Sequence, residues 1–233
     1  MEKSMVIFSF SRKKYTPSYW PQKRRLTKNR KMNKNRWEAL MGALGFKDSF
    51  YCYDDLYNAY SEKHRFYHTV KHIEAMFRHF DIVKDIAERP AELELAIWFH
   101  DAIYKPFSKN NELNSAEWAK EFSLSNGYYM EGAERIHSLI MATQHNGIVQ
   151  DKDQKLIVDI DLTILGASPE IYDEFERNVR KEYKMVPTFI YRKKRKELLM
   201  SFLSKVSIYN LDYFKEKYEN IARYNIKRAI EML

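Results

Sequence analysis

The chain has one cysteine, Cys52, so it can form no intramolecular disulfide. That fits a reducing, cytoplasmic setting. Six Gly and six Pro in 233 residues are too few for a loop-rich all-β protein. No apolar run approaches the length of a membrane-spanning helix. The apolar patch from Met5 to Phe10 is followed by basic residues instead of preceded by them, the wrong order for a secretory signal. There is no HExxH helix, no Gly-rich phosphate loop and no GxGxxG fingerprint. A thiol nucleophile would have to be Cys52, which sits in Phe50-Tyr51-Cys52-Tyr53, the pattern of an aromatic core helix.

What the chain does have is apolar residues for a sizeable core, 45% in all with 15% aromatic, and an abundance of Leu, Ile, Met, Lys and Glu that favours helices. Charge is unevenly spread. Residues 1–31 hold ten Lys or Arg against one acid, Glu2, a net +9, whereas the whole chain carries +8, so residues 32–233 sum to −1. The body therefore gives no electrostatic support for nucleic-acid binding. The basic stretch 1–31, with Pro17 and Pro21 and no periodicity, reads as a disordered tail. Because Met32 stands at the composition change, the tail also reads as a mis-assigned upstream extension. A nucleic-acid or membrane-surface tail and a targeting peptide are its alternatives.

From residue 32 the periodicity is helical. It predicts helices near 34–44, 49–63, 68–88, 91–103, 112–125, 130–145, 153–165, 169–184, 188–204 and 211–232. Asp48, Asn114, Ser168 and Asn210 are candidate starts or caps, and Pro90 and Pro187 fall at first-turn positions. The simplest reading is an all-α chain with one domain over 32–233.

Three patches bear chemistry. In the first, an apolar segment delivers Trp98-Phe99-His100-Asp101. A buried carboxylate needs a partner. Adjacent residues on a helix do not share a face, so a mutual salt bridge is not the expected explanation. A divalent ion that both side chains reach is a better one. In the second patch, His68 and His72 are spaced i, i+4 on an expected helix face that also carries Arg65. The plainer reading is a polar face at a helix start. In the third, Asp159 and Asp161 interrupt the apolar run 156–165 and point to different sides of a helix. A pair of helix-start acids meeting the helix dipole is the alternative, and it carries more weight for Asp159.

In order, the chain offers His72, then His100-Asp101 after 28 residues, then Asp161 after a further 60. This constellation resembles the HD superfamily of metal-dependent phosphohydrolases. The wider pattern is most similar to a bacterial-type branch described as predicted metal-dependent HD phosphohydrolases. It rests on Arg65-x-Tyr67-His68-x-x-x-His72-Ile73, Ala96-x-Trp98-Phe99-His100-Asp101-x-x-Tyr104 and Asn111-Glu112-x-x-Ser115-Ala116. It continues through Asp159-x-Asp161-Leu162-x-x-Leu165-Gly166, Arg180-x-Glu182-Tyr183 and Ala222-Arg223-x-Asn225. The match spans about 60–225.

The resemblance implies a single HD-like helical bundle with additional C-terminal helices. It makes His72, His100, Asp101 and Asp161 the ligands of a divalent ion, with Mn, Fe, Co, Ni, Mg and Zn not distinguished. His68, Glu112 and Arg65 take catalytic roles at the phosphate. Asn111 and Lys105 are further contacts, and His145 is a candidate ligand for a second metal. Which of His68 and His72, and which of Asp159 and Asp161, faces the ion stays open at this point. Arg180, Arg195 and Arg223 read best as a salt-bridge network among the C-terminal helices. Members that hydrolyse alarmones carry an acidic pair shortly after the His-Asp. Here Ala102-Ile103-Tyr104-Lys105-Pro106 stands there, which argues against that substrate. The expected activity is hydrolysis of a small phosphorylated compound, a nucleotide among the candidates. The alternatives are a metal- or nucleotide-binding sensor without turnover and a nucleic-acid binder acting through its tail. Oligomeric state is not legible.

Overall fold

A computed structural model describes residues 32–47, 50–145, 147 and 149–233. The tail 1–31 and the candidate cap Asp48 lie outside the described residues. The fold is all-α: α1 (Lys34–Leu44), α2 (Phe50–Tyr60), α3 (Val70–Val83), α4 (Pro90–Phe99), α5 (Asn111–Ser125), α6 (Met130–Ala142), α7 (Lys152–Asp161), α8 (Pro169–Glu182), α9 (Thr188–Leu203) and α10 (Asp212–Met232). There is no strand among the described residues. Two 3-10 turns, Lys84–Ile86 and Leu162–Gly166, follow α3 and α7.

Helix α4 forms the centre because it is apolar on every side. Leu93, Leu95, Ala96, Ile97, Trp98 and Phe99 are all fully buried, and α1, α3, α5, α6 and α7 pack around them. Trp98 meets Trp37 of α1 edge-on at 5.1 Å and Phe77 of α3 at 4.9 Å. Pro90 opens α4 at its first position, where the missing N–H is no loss. Glu92, one turn in, is buried but satisfied by Arg135, Tyr128 and Tyr129.

Ten helices are found among the described residues where ten were expected, and the differences lie at their ends. Helix α3 begins at Val70, not 68, and α4 stops at Phe99, not 103. Helix α7 gives way to a 3-10 turn after Asp161 instead of running to 165. Asn114 is not a start, since α5 begins at Asn111 with Asn110 before it. Pro187 precedes α9 as its cap residue, and Leu211, not Asn210, caps α10. Ser168 does precede α8.

The turn after Asp161 is clamped from α10. Asn225 donates to the carbonyls of Leu165 and Ala167 at 3.0 and 2.8 Å. Gly166 lies so close to α10 that a Cβ would stand 2.6 Å from the Tyr218 side chain and 3.0 Å from its carbonyl, which only glycine avoids. Asp159 secures the same region from the other face of α7. It is fully buried and accepts the Asn210 and Leu211 backbone N–H groups at 2.8 and 2.7 Å and the Asn210 amide at 2.8 Å. Burial pushes its pKa up to about 6 although these donors favour the anion. Asp159→Ala strands those donors and is expected to lower stability by roughly 3 kcal/mol in urea denaturation.

Candidate metal centre

The end of α4 is fixed by side chains that capture the backbone beyond it. The Arg65 guanidinium donates to the carbonyls of Asp101 at 2.7 Å, Ala102 at 3.0 Å and His68 at 3.2 Å. The Tyr60 hydroxyl accepts the Asp101 N–H at 3.2 Å, and Ser115 Oγ accepts that of Ile103 at 2.9 Å. Leaving the helix at His100 lets two adjacent side chains converge. His100 Nε2 lies 3.1 Å from Asp101 Oδ2. This corrects the expectation that neighbours in this segment cannot meet, which assumed a helix through residue 103.

His72, in the first turn of α3, brings its Nε2 to 3.1 Å from His100 Nε2 and 3.1 Å from Asp161 Oδ1, with Asp101 Oδ2 at 3.7 Å. Asp161 is the last residue of α7. Three separate elements thus bring two imidazoles and two carboxylates together. His72, His100 and Asp161 form a group whose ligand atoms all lie within 4.8 Å of one another, able to hold a metal ion. Asp101 adjoins this group through the two histidines.

The chemistry of the donors fits a cation. His100 Nδ1 donates to the Ile97 carbonyl at 2.8 Å, which in the neutral ring leaves Nε2 as a bare acceptor facing the cluster. Among the described residues neither Asp101 nor Asp161 forms a salt bridge with Lys or Arg. Without a metal, His100 is the imidazole positioned to supply positive charge. Burial opposes it, yet Asp101 and Asp161 push the His100 pKa up to about 9. Burial alone would raise both carboxylates. The histidines hold Asp101 and Asp161 well below the usual range instead. A divalent ion would replace shared protons at these atoms.

His68 is not on the helix that carries His72, so the i, i+4 argument for the pair fails. It lies in the turn before α3, 6.0 Å from the His72 ring centre. Glu182, at the end of α8, holds it there. Glu182 Oε2 meets His68 Nδ1 at 2.7 Å and accepts the Tyr104 hydroxyl at 2.8 Å, and Oε1 accepts the backbone N–H of Phe66, Tyr67 and His68. Tyr104 stacks on the His68 ring at 4.2 Å. Burial opposes charge on His68, but Asp101 and Glu182 raise its pKa. Sequence reasoning assigned no role at the site to Tyr104 or Glu182. Their presence in the motif segments was the available signal.

The other candidates fall in varied places. Asp159 points away from the cluster to the start of α10, which leaves Asp161 as the carboxylate at the ion position. Arg65 is turned to backbone carbonyls and to Glu62, not toward an open space. Asn111 ties the loop before α5 by bonding both the N–H and the carbonyl of Lys105, and the Lys105 residue itself is exposed. Glu112 lies in a partly buried position where burial, and then Asp101, raises its pKa. His145 Nε2 sits 2.9 Å from Asp161 Oδ2, so the two oxygens of Asp161 serve two histidines.

Two cavities reach the cluster. One of about 400 Å³ touches His72 and Asp161. Another of about 490 Å³ touches His68, Asp101, Asn111 and Glu112, with Lys194 and Arg195 of α9 on its wall. No described helix is long and apolar enough to cross a membrane. Compared with known proteins, the chain matches no family model, no curated protein and no solved structure. What is shown is a helical protein with a His/His/Asp group that could bind a metal.

The Glu182 hub has a pH signature. Burial opposes its charge, but His68 and the backbone donors hold its pKa down at about 2 against an ordinary 4.5. A depressed carboxylate stabilises the fold above its unfolded pKa, and that contribution is lost as pH falls from 4.5 toward 2. Glu182→Gln should therefore be less stable than wild type at pH 7. The difference should narrow as urea midpoints are followed down through that window.

Proposed function

We propose that this protein is a metal-dependent phosphohydrolase of the HD type, acting on a small phosphorylated compound. The observation that supports this most is the convergence of His72, His100, Asp101 and Asp161 from three elements with no lysine or arginine to neutralise the acids. These four would hold a divalent ion. When bound, it supplies Lewis-acid polarisation of a phosphoryl oxygen and lowers the pKa of water.

The chain's own groups divide the remaining work. His68, its pKa raised by Asp101 and Glu182 and its ring bordering the larger cavity beside Asp101, hydrogen-bonds a phosphoryl oxygen and carries a proton to the leaving oxygen. Tyr104 stacks beneath His68 and keeps its ring aimed. Glu112, on the same cavity wall with a raised pKa, is the second proton carrier. Arg65 acts indirectly, by holding the turn that presents Asp101. The substrate enters through the cavity walled by α9, where Lys194 and Arg195 stand, each already paired with an acid, Glu197 and Glu176.

The test is metal analysis of the purified protein followed by phosphate release from nucleotides and phosphoesters with added Mn, Co, Ni or Mg. Wild type should hold stoichiometric metal, His100→Ala and Asp101→Ala should lose it, and His68→Gln should keep it while phosphate release falls about a hundredfold. Metal retained undiminished in both the His100 and Asp101 variants would overturn the assignment. Bound metal with no phosphate released from any compound would overturn the hydrolase reading.

A further inference from the structure

A third cavity, of about 510 Å³, lies between α8, α9 and the last turn of α10, and touches none of the four candidate ligands. Its lining carries four cations: Arg177, Arg180, Lys181 and Arg192. The two acids in the lining are already committed elsewhere. Asp173 is held by both terminal nitrogens of Arg228 at 2.9 and 2.7 Å, and Glu176 by Arg195 at 3.0 and 2.6 Å. None of the four cations forms a salt bridge among the described residues. Arg180 is anchored by the carbonyls of Tyr183 and Val186, which fixes its position without neutralising its charge. Leu233 also lines the cavity.

Tyr191 also lines the cavity and is 9% exposed. The Arg180 guanidinium stands over the same ring at 4.7 Å. Guanidinium groups that form no salt bridge among the described residues, set around a half-enclosed space, suit an anion that accepts several hydrogen bonds at once, and phosphate does so bidentately.

We propose that this cavity is a second binding site, for a small, multiply charged phosphorylated anion. It is separate from the metal cluster but adjoins it: Tyr191 lines both this cavity and the one that reaches His68 and Asp101. The Glu176–Arg195 pair likewise has one member on each wall. The proposal does not depend on the hydrolase reading.

The test is calorimetric titration of the full chain with pyrophosphate in excess chelator, so that no metal takes part. Wild type should bind one pyrophosphate saturably, and sulfate at least tenfold more weakly. The double variant Arg177→Ala/Arg192→Ala should bind pyrophosphate at least tenfold more weakly. Both side chains are exposed, so circular dichroism should show an intact fold. Asp101→Ala should change pyrophosphate binding less than twofold. Absence of saturable binding by wild type would overturn the proposal. So would loss in Asp101→Ala with the arginine double variant unaffected, or sulfate bound as tightly as pyrophosphate.

Discussion

Two partly buried carboxylates set among histidines without a lysine or arginine partner are the constraint around which this structure is arranged. Asp101 and Asp161 face imidazoles, not fixed cations. A permanent Arg or Lys partner would satisfy the acids and close the site. Histidine can give up its proton, so the same four side chains can face either shared protons or a divalent ion. The His100 tautomer is set for the second state by the Ile97 carbonyl, which takes the Nδ1 proton and leaves Nε2 toward the cluster.

The arginines that might have paired with those acids do something else. Arg65 gathers the carbonyls of His68, Asp101 and Ala102, Arg180 those of Tyr183 and Val186, and Arg223 those of Leu203, Lys205 and Val206. Each group of carbonyls lies where a helix ends or a connection begins, where backbone acceptors lack intrahelical partners. A planar fork with several donors suits this task better than a lysine ammonium. The expected salt-bridge network among Arg180, Arg195 and Arg223 is accordingly only half of what these residues make. Arg195 and Arg223 do pair with Glu176 and Glu219, but Arg180 bonds to backbone and to Thr188 alone.

Helices such as α3 and α8 were legible because one face is apolar and buried, and α4 because its fully buried run could be nothing but central. What the sequence could not convey is where each helix stops, because that depends on distant donors. Nothing local to residues 99–103 says that Arg65 will take two of its carbonyls. Those stops decide the site. His68 needed to fall before α3, and Asp101 after α4, to reach their positions. The choice between Asp159 and Asp161 had the same character. It turns on Asn210 and Leu211, some fifty residues downstream, needing an acceptor.

His145 shows how tightly the second side of the cluster is held. It is the single non-glycine residue with positive φ among the described residues, at 57°. A left-handed backbone costs a β-carbon residue of order 1 kcal/mol, and such strain persists only where surrounding contacts over-determine it. The contact here is Nε2 on Asp161 Oδ2, while Nδ1 is buried with no hydrogen-bond partner. A surface histidine at a helix end would relax and hydrate both nitrogens. Holding this one strained, with one nitrogen on the bridging carboxylate, fixes the orientation of Asp161. Both of its oxygens are then directed, Oδ1 to His72 and Oδ2 to His145. The position of the carboxylate that completes the cluster is therefore set from both sides, by α3 and by the strained turn after α6.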